Sequence, residues 1–262
     1  MNEEDACELD LISVIMPAYN AERTISQAIY SVLKQTYKKL ELIVIDDCSS
    51  DGTAEVVRKY MAKDHRVRLL QNQKNYGISL TRKKGAENAN GEWLALLDSD
   101  DMWKNDKLEK QIDIQKKTGA VLLYTGSSFM NESGQILDWT MQVPECVSYR
   151  ELLKQNIISN SSSLVRKDLY LKHMAMDDNL HEDFATWLSI LKSGVVAFGV
   201  DEPLLIYRIS SKSKTGNKFK SAEMNWRTYR YTGLNVFESV YYMCCYTFRN
   251  LQKYGNLWRK CF

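Results

Sequence analysis

The stretch "EWLALLDSDDMW", residues 92–103, decides how the rest of the chain is read. Its apolar run from Trp93 to Leu97 has the length and continuity of a strand buried on both faces. It then meets three aspartates, Asp98, Asp100 and Asp101, with only Ser99 between them. Carboxylates at the mouth of a buried strand are costly to desolvate if they stay unpaired, so something positive is expected at that edge. Asp98 and Asp100 are spaced i, i+2, and at a strand end both can turn toward one point while Ser99 turns away. Paired carboxylate oxygens suit a hard divalent ion, Mg²⁺ or Mn²⁺, shared with the phosphate oxygens of a diphosphate. Read alone, the same run also serves as turn and N-cap for a helix predicted over 105–116.

Outward from this stretch, "LISVIM" (11–16), "ELIVIDD" (41–47) and "RVRLLQ" (66–71) are further short apolar strands. Between them, "AERTISQAIYSVLKQ" (21–35) aligns Ile25, Ile29, Val32 and Leu33 on one helical face. "SSDGTAEVVRKYMA" (49–62) places Val56, Val57 and Tyr60 behind the cap candidates Ser49, Ser50 and Asp51, and a third helix is predicted over 79–90. Strand, helix, strand with continuous apolar strands predicts a parallel sheet covered on both faces by helices, whose ligands lie beyond the carboxyl ends of the strands. Three strands end there in polar text: "PAYN", "DDCSSDG" and "DSDD". In the second, Asp47 can accept hydrogen bonds from a base or ribose, or it is an Asx-turn residue ahead of a helix cap.

From residue 118 the pattern changes to shorter strands and turns. "AVLLYTGSSFM", "NESG" and "QILDW" read as a hairpin, helices are predicted at 148–155 and 181–192, and strands near 161–166, 194–200 and 203–209. The helix opening "HEDFATWLSI" (181–190) puts Asp183 in its first turn, where the helix dipole favours a carboxylate. Phe184, Trp187, Leu188 and Leu191 form its buried side. Capping accounts for the acidic pair as well, and His181 lacks the H-E-x-x-H context of a zinc ligand.

At 262 residues with 3 prolines and 12 glycines, the chain is long enough for one catalytic-sized domain plus an appendage. The net charge of +2 hides an asymmetry: residues 208–262 carry eleven Lys/Arg against Glu223 and Glu238, a net +9, which leaves residues 1–207 at −7. Such a basic, aromatic tail can meet anionic lipid, nucleic acid or an acidic partner. The six cysteines (Cys7, Cys48, Cys146, Cys244, Cys245, Cys261) show neither C-x-x-C nor paired spacing, which argues against a zinc site and a disulfide framework. "MNEEDACELD" has no apolar core of a signal peptide. The most apolar stretch, "LNVFESVYYMCCYTF" (234–248), contains Glu238 and falls short of the roughly 20 residues that span a bilayer. The absence of G-x-x-x-x-G-K-[ST], of G-x-G-x-x-G after the first strand and of G-x-S-x-G counts against a P-loop nucleotidase, a dinucleotide oxidoreductase and an α/β-hydrolase.

Taken in order, "SVIMPAYNAERTISQAIYSVLKQTYKKLELIVIDDCSSDGT", "NYGISLTRKKGAENANGEWLALLDSDDMW" and "HEDFATWL" resemble the inverting glycosyltransferases of family 2 over residues 11 to 209. The resemblance implies the α/β GT-A fold, a Rossmann-like nucleotide-diphospho-sugar transferase architecture. Its mainly parallel central sheet would carry a mixed acceptor-side half and a C-terminal helical tail. It divides the chain into a catalytic domain at 1–210, with a nucleotide-sugar half at 11–117 and an acceptor half at 118–210, and a basic aromatic tail at 211–262. By the same resemblance Pro17, Ala18, Tyr19 and Asp47 line the nucleotide pocket, Arg82 approaches the base or phosphates, and Asp98, Ser99 and Asp100 form the D-x-D motif. In that motif Asp100, with Asp98, holds Mn²⁺ or Mg²⁺. Asp183 is the implied general base, with Glu182 its neighbour in the E-D signature.

Two departures from the family pattern stand out: Arg82-Lys83 where Arg-Asn is common, and Ser210 where a histidine often follows the late Tyr-Arg. Ser210, Ser211 and Lys212 could replace that histidine as diphosphate donors, although a solvated loop also accounts for Lys212, Lys214, Lys218 and Lys220. The implied donor is a UDP-hexose and the implied acceptor a polyprenyl-diphosphate-linked saccharide. The implied location is the cytoplasm, at the inner face of the plasma membrane.

The tail shows Trp226, Tyr229, Val236, Phe237, Val240, Tyr241, Met243, Cys244, Phe248 and Leu251 at near-heptad spacing, beside Arg227, Arg230, Arg249, Lys253, Arg259 and Lys260. This reads as a helix packing on the body or on a second subunit, or lying peripherally on an anionic membrane. No nucleic-acid module accompanies the charge, and no such partner is expected. The competing readings are a sugar-phosphate nucleotidyltransferase, which calls for a glycine-rich loop that "PAYNAERT" lacks, and a catalytically silent nucleotide-sugar-binding or scaffolding subunit.

Overall fold

Strand β1 (Ile12–Ala18) is buried along its whole length and lies at the centre of the parallel part of the sheet, paired with β2 (Leu40–Asp46) on one side and β4 (Trp93–Leu96) on the other. The computed structural model describes residues 11–210 and 218–261, apart from the side chains of 218 and 252–261. Cys7, Ser211, Lys212, Lys214 and the side chains of Lys218, Lys253, Arg259, Lys260 and Cys261 therefore lie outside the described residues. β3 (Val67–Gln71) extends the sheet beyond β2 in parallel. Helices α1 (Ile25–Leu33), α2 (Thr53–Met61) and α3 (Ile78–Glu87) are the crossovers that such pairing requires.

Beyond β4 the sheet becomes mixed, in the order β3-β2-β1-β4-β9-β6-β10-β5. The two-residue β5 (Met102–Trp103) and helix α4 (Lys107–Thr118) lead into β6 (Leu122–Met130), which forms the expected hairpin with β7 (Ile136–Met141). β8 (Cys146–Val147) and α5 (Tyr149–Lys154) follow. β9 (Leu164–Arg166) inserts antiparallel between β4 and β6.

Three expectations are corrected. The two strands near 194–200 and 203–209 are one, β10 (Ala197–Arg208), which continues parallel to β6 through register shifts at Pro203. Proline removes a ladder donor, and the strand absorbs the loss as an irregularity rather than a turn. Helix α6 (Lys167–His173) was not anticipated; at seven residues with Tyr170 alone buried, it is too short to show a period. The aspartates at 98–101 do not cap α4, because β5 intervenes and the cap position is Asp106.

The tail joins the core. Helix α7 (Glu182–Lys192) is flanked by α8 (Lys218–Tyr231), whose Tyr229 is fully buried, meets Phe184 edge-on at 5.8 Å and donates its hydroxyl to the Leu153 carbonyl at 2.7 Å. Helix α9 (Val236–Cys261) lays Tyr242, Met243 and Tyr246 on the same cluster.

Close contact between α3 and the sheet depends on Gly85. A Cβ there would stand 2.5 Å from Ile45 Cδ1 and 2.7 Å from Ile15 Cγ2. Arg82 lies one turn earlier on the same helical face, so this contact sets how near its guanidinium comes to the strand ends. Gly85→Val should lower stability by about 1–3 kcal/mol through overpacking, read as a fall in the urea midpoint with the slope unchanged.

Candidate active site

Chain order reverses across β1, with β2 and β3 on one side and β4 on the other; in open α/β sheets the crevice at such a reversal is the ligand position. One wall comes from the loops after β1 and β2. Pro17 and Ala18 close β1 and are buried, whereas Tyr19 is 53% exposed at the rim. Asn20 (φ 50°) and Cys48 (φ 63°) take left-handed conformations. These bend the two loops into each other: Ser49 Oγ accepts from the Asn20 amide at 2.9 Å, and the Asn20 side chain accepts from the Ser50 amide at 2.9 Å.

Asp47 is buried in this wall. It accepts from Asn72 Nδ2 at 2.7 Å and from the amides of Tyr76 and Gly77, both at 2.9 Å. Its carboxylate fixes the loop that launches α3, where Gly77 (φ 86°) turns the chain.

The opposite wall is the aspartate run. The Asp98 amide donates to Ser161 Oγ at 3.1 Å, and the Asp101 amide closes a turn on the Asp98 carbonyl at 3.1 Å, with Ser99 half-buried inside it. Arg208, at the end of β10, holds this turn from below. Its amide donates to Asp101 at 2.8 Å, Nε to the Asp100 carbonyl at 2.9 Å and a terminal nitrogen to Gln27 at 2.7 Å. Asp101 is thus structural.

Arg82 brings the sequence clusters together. It is 5% exposed, and its two terminal nitrogens reach Asp98 and Glu182, each at 2.6 Å. The D-x-D run and the E-D pair, far apart in the chain, therefore share one cation. Asn160 also donates to Asp98, at 3.3 Å. His181 is a tether: its amide donates to Thr228 Oγ1 at 3.2 Å and its Nε2 to the Ser221 carbonyl at 3.1 Å, tying the start of α7 to α8.

The charges are unevenly compensated. Burial works against the Arg82 charge, but Asp98 and Glu182 more than offset it and raise its pKa further. Asp100 is pushed up to about 6 by burial and by the Asp98 charge, and Arg208 only partly opposes this; no side chain among the described residues donates to it. Asp183 also rises to about 6, through burial and Glu182, against the pull of Arg82 and His181. Glu41, at the amino edge of the same sheet, is the contrast. Burial would raise it, yet donors from Ser13 (2.7 Å), Asn90 (2.7 Å) and Arg68 (2.6 Å) hold it below its ordinary value.

Among the described residues no three or more His, Cys, Asp or Glu side chains are grouped to hold a metal. A divalent ion at Asp100 and Asp98 would need phosphate oxygens and water to complete its shell, an ordinary arrangement for Mg²⁺. Asp100, left short of donors beside the Arg82-paired Asp98, fits such an ion. Arg208, Asn160 and Ser161 escaped the sequence reading because their partners are more than sixty residues distant; the late Tyr-Arg pair was the only trace of Arg208.

Residues 13–171 match the sequence profile of glycosyl transferase family 2. A Bacillus subtilis glycosyltransferase provisionally assigned to teichuronic acid biosynthesis, TuaG, is 38% identical over 84% of this chain and 87% of its own. The Escherichia coli UDP-Glc:alpha-D-GlcNAc-diphosphoundecaprenol beta-1,3-glucosyltransferase WfgD is 35% identical over 94% of this chain and 95% of its own. Among solved structures, Staphylococcus aureus TarS (residues 1–349) in complex with UDP-GlcNAc superposes with a TM-score of 0.70 at 18% identity, covering 92% of this chain and 73% of that one. The shared fold is GT-A.

Two stability measurements check the charge balance. Arg82→Ala leaves Asp98 and Glu182 facing each other and should cost about 3–5 kcal/mol; adding Asp98→Asn should recover part of the loss. Asp100 has a folded pKa above its unfolded value, so its stabilising contribution is complete in acid and is lost as pH rises from about 4 to 6. The ligand-free Tm should therefore fall on going from pH 5 to 7.5. Asp100→Asn should flatten that fall and raise stability at pH 7.5 by on the order of 1–2 kcal/mol, allowing for solvent screening of a half-buried pair.

Proposed function

This chain belongs to glycosyl transferase family 2, and we propose that it transfers a hexose from a UDP-sugar to a polyprenyl-diphosphate-linked saccharide, with inversion, in cell-surface polysaccharide synthesis. The observation that carries this reading is the Arg82 bridge, which sets the aspartate run of the donor wall and the E-D pair of the acceptor half in one crevice. Relatives that match over nearly their whole length support the donor and acceptor classes: WfgD and WfaP of Escherichia coli are both named as glucosyltransferases that use UDP-Glc and a diphosphoundecaprenol-linked GlcNAc.

In this reading residues 11–117 bind the nucleotide and 118–210 shape the acceptor side. Pro17, Ala18 and Tyr19 flank the base, and Asp47 sets the loop beneath it. Asp98, Ser99 and the Arg82 guanidinium define where the sugar and diphosphate lie. Asp100, with Asp98, would hold Mn²⁺ or Mg²⁺, which when bound supplies neutralisation of the charge that grows on the departing diphosphate. Asp183 accepts the proton of the attacking acceptor hydroxyl. A carboxylate raised to about 6 is a better base than an ordinary aspartate and is still ionised at neutral pH. Glu182, fixed on Arg82, keeps Asp183 in register and by its charge contributes to that raised pKa. A single base with no nucleophilic carboxylate produces one displacement and therefore inversion. A lipid-linked acceptor places the enzyme in the cytoplasm at the inner face of the plasma membrane.

The test is release of UDP from a panel of UDP-sugars in the presence of a diphosphoprenyl-linked monosaccharide. Asp183→Asn should lower kcat by about 10²–10⁴-fold while UDP binding is retained. In the parent enzyme kcat/KM should rise with pH up to about 6 and level off above it. Undiminished turnover in Asp183→Asn would remove that residue from its role, and UDP binding with no turnover on any acceptor would favour the silent-subunit reading.

A further inference from the structure

Helix α9 has two apolar faces, and the body covers only one. Its inner side, Tyr242, Met243 and Tyr246, packs on the cluster that also holds Phe184 and Tyr229. At 100° per residue, Val236, Phe237, Val240, Tyr241, Phe248 and Leu251 fall on the opposite side, in one arc of about 140°. Their exposure is that of a bare surface: Phe237 88%, Leu251 68%, Phe248 62%, and the other three half or more. A contiguous apolar strip of this kind marks an interaction site rather than scattered surface residues.

We propose that this outer face of α9 is a docking surface for an anionic lipid bilayer, on which the helix lies in the plane of the headgroups. Because its other side is committed to the protein core, the helix cannot be surrounded by lipid. Charge selects the partner. The segment 208–262 carries net +9 against −7 for the rest of the chain; Arg208 is buried beneath the crevice, while Lys220, Arg227 and Arg230 on α8 and Arg249 on α9 are exposed. An anionic surface attracts that segment, at about 1 kcal/mol per basic residue near the surface, whereas the same face of a second copy would bring like charge against like. Phe and Tyr on a helix flanked by basic residues suit the headgroup boundary. The site's geometry makes the location useful: α9 packs on α5 and α8, and both pack on α7, the helix that opens with Glu182 and Asp183. Lipid docking there sets the acceptor half beside the bilayer. The choice of lipid as partner rests in part on the lipid-linked acceptor of the proposed function.

The test uses the full chain, without donor or acceptor, in co-sedimentation with vesicles of phosphatidylglycerol and phosphatidylcholine and with vesicles of phosphatidylcholine alone. Binding to the anionic vesicles should be at least about ten-fold tighter and should weaken with added salt. The double variant Phe237→Ser/Phe248→Ser should lose at least about ten-fold of it, with an unchanged far-UV circular dichroism spectrum. Equal affinity for both vesicle types, absence of binding, or binding untouched by the double variant overturns the proposal. A dimer in light scattering that the double variant dissolves, with no vesicle binding, assigns the face to a second copy instead. UDP release with a soluble acceptor analogue, measured alongside, separates the outcomes: its loss in the parent chain counts against the transferase reading, and vesicle binding is scored independently.

Discussion

A single buried guanidinium holds the crevice together. Arg82 has almost no solvent contact, and an ion in that position is tolerated only because Asp98 and Glu182 each lie 2.6 Å from it. Buried ion pairs of this kind contribute little net stability compared with apolar packing. What the arrangement provides is placement: it fixes the end of β4 relative to the start of α7, elements far apart in the chain. Gly85 makes the placement reachable, because α3 can lie on Ile15 and Ile45 only where no side chain intervenes.

The two edges of the sheet treat buried carboxylates differently. Glu41, at the amino edge, is surrounded by donors and held below its ordinary pKa. Asp100, at the carboxyl edge, is left with a like-charged neighbour and a raised pKa. Both experience desolvation; they differ in the number of hydrogen-bond donors that answer it. A fold selected only for stability would compensate both; at Asp100 the compensation is left incomplete. The same logic applies more weakly to Asp183, whose raised pKa comes from burial and Glu182.

Much of the fold was legible because its signals are local. Continuous apolar runs mark β1, β2 and β4, Asn131 to Gly134 turns the β6–β7 hairpin, and Phe184, Trp187 and Leu188 mark the inner face of α7. The sequence separates strands near 194–200 and 203–209, because the β6 partner that carries one strand across both is not visible in it. The candidate site was legible as residue types and opaque as contacts. Nothing near Arg82 in the chain announces that Glu182, a hundred residues on, will meet it, and nothing near Asp47 shows that its oxygens are already taken by Asn72, Tyr76 and Gly77. Compensation between charges is a tertiary property.

The helical end of the chain extends the same argument. His181 immediately precedes the E-D pair and is tied through Thr228 and Ser221 to α8, whose Tyr229 is locked between Phe184 and the Leu153 carbonyl. The start of α7 is therefore held from two directions, by Arg82 on the crevice side and by α8 behind. A force applied to α9 meets α8 and α5 first and reaches α7 through packed side chains rather than through a flexible linker. A surface that docks through α9 would thus orient α5, α8 and the start of α7 together.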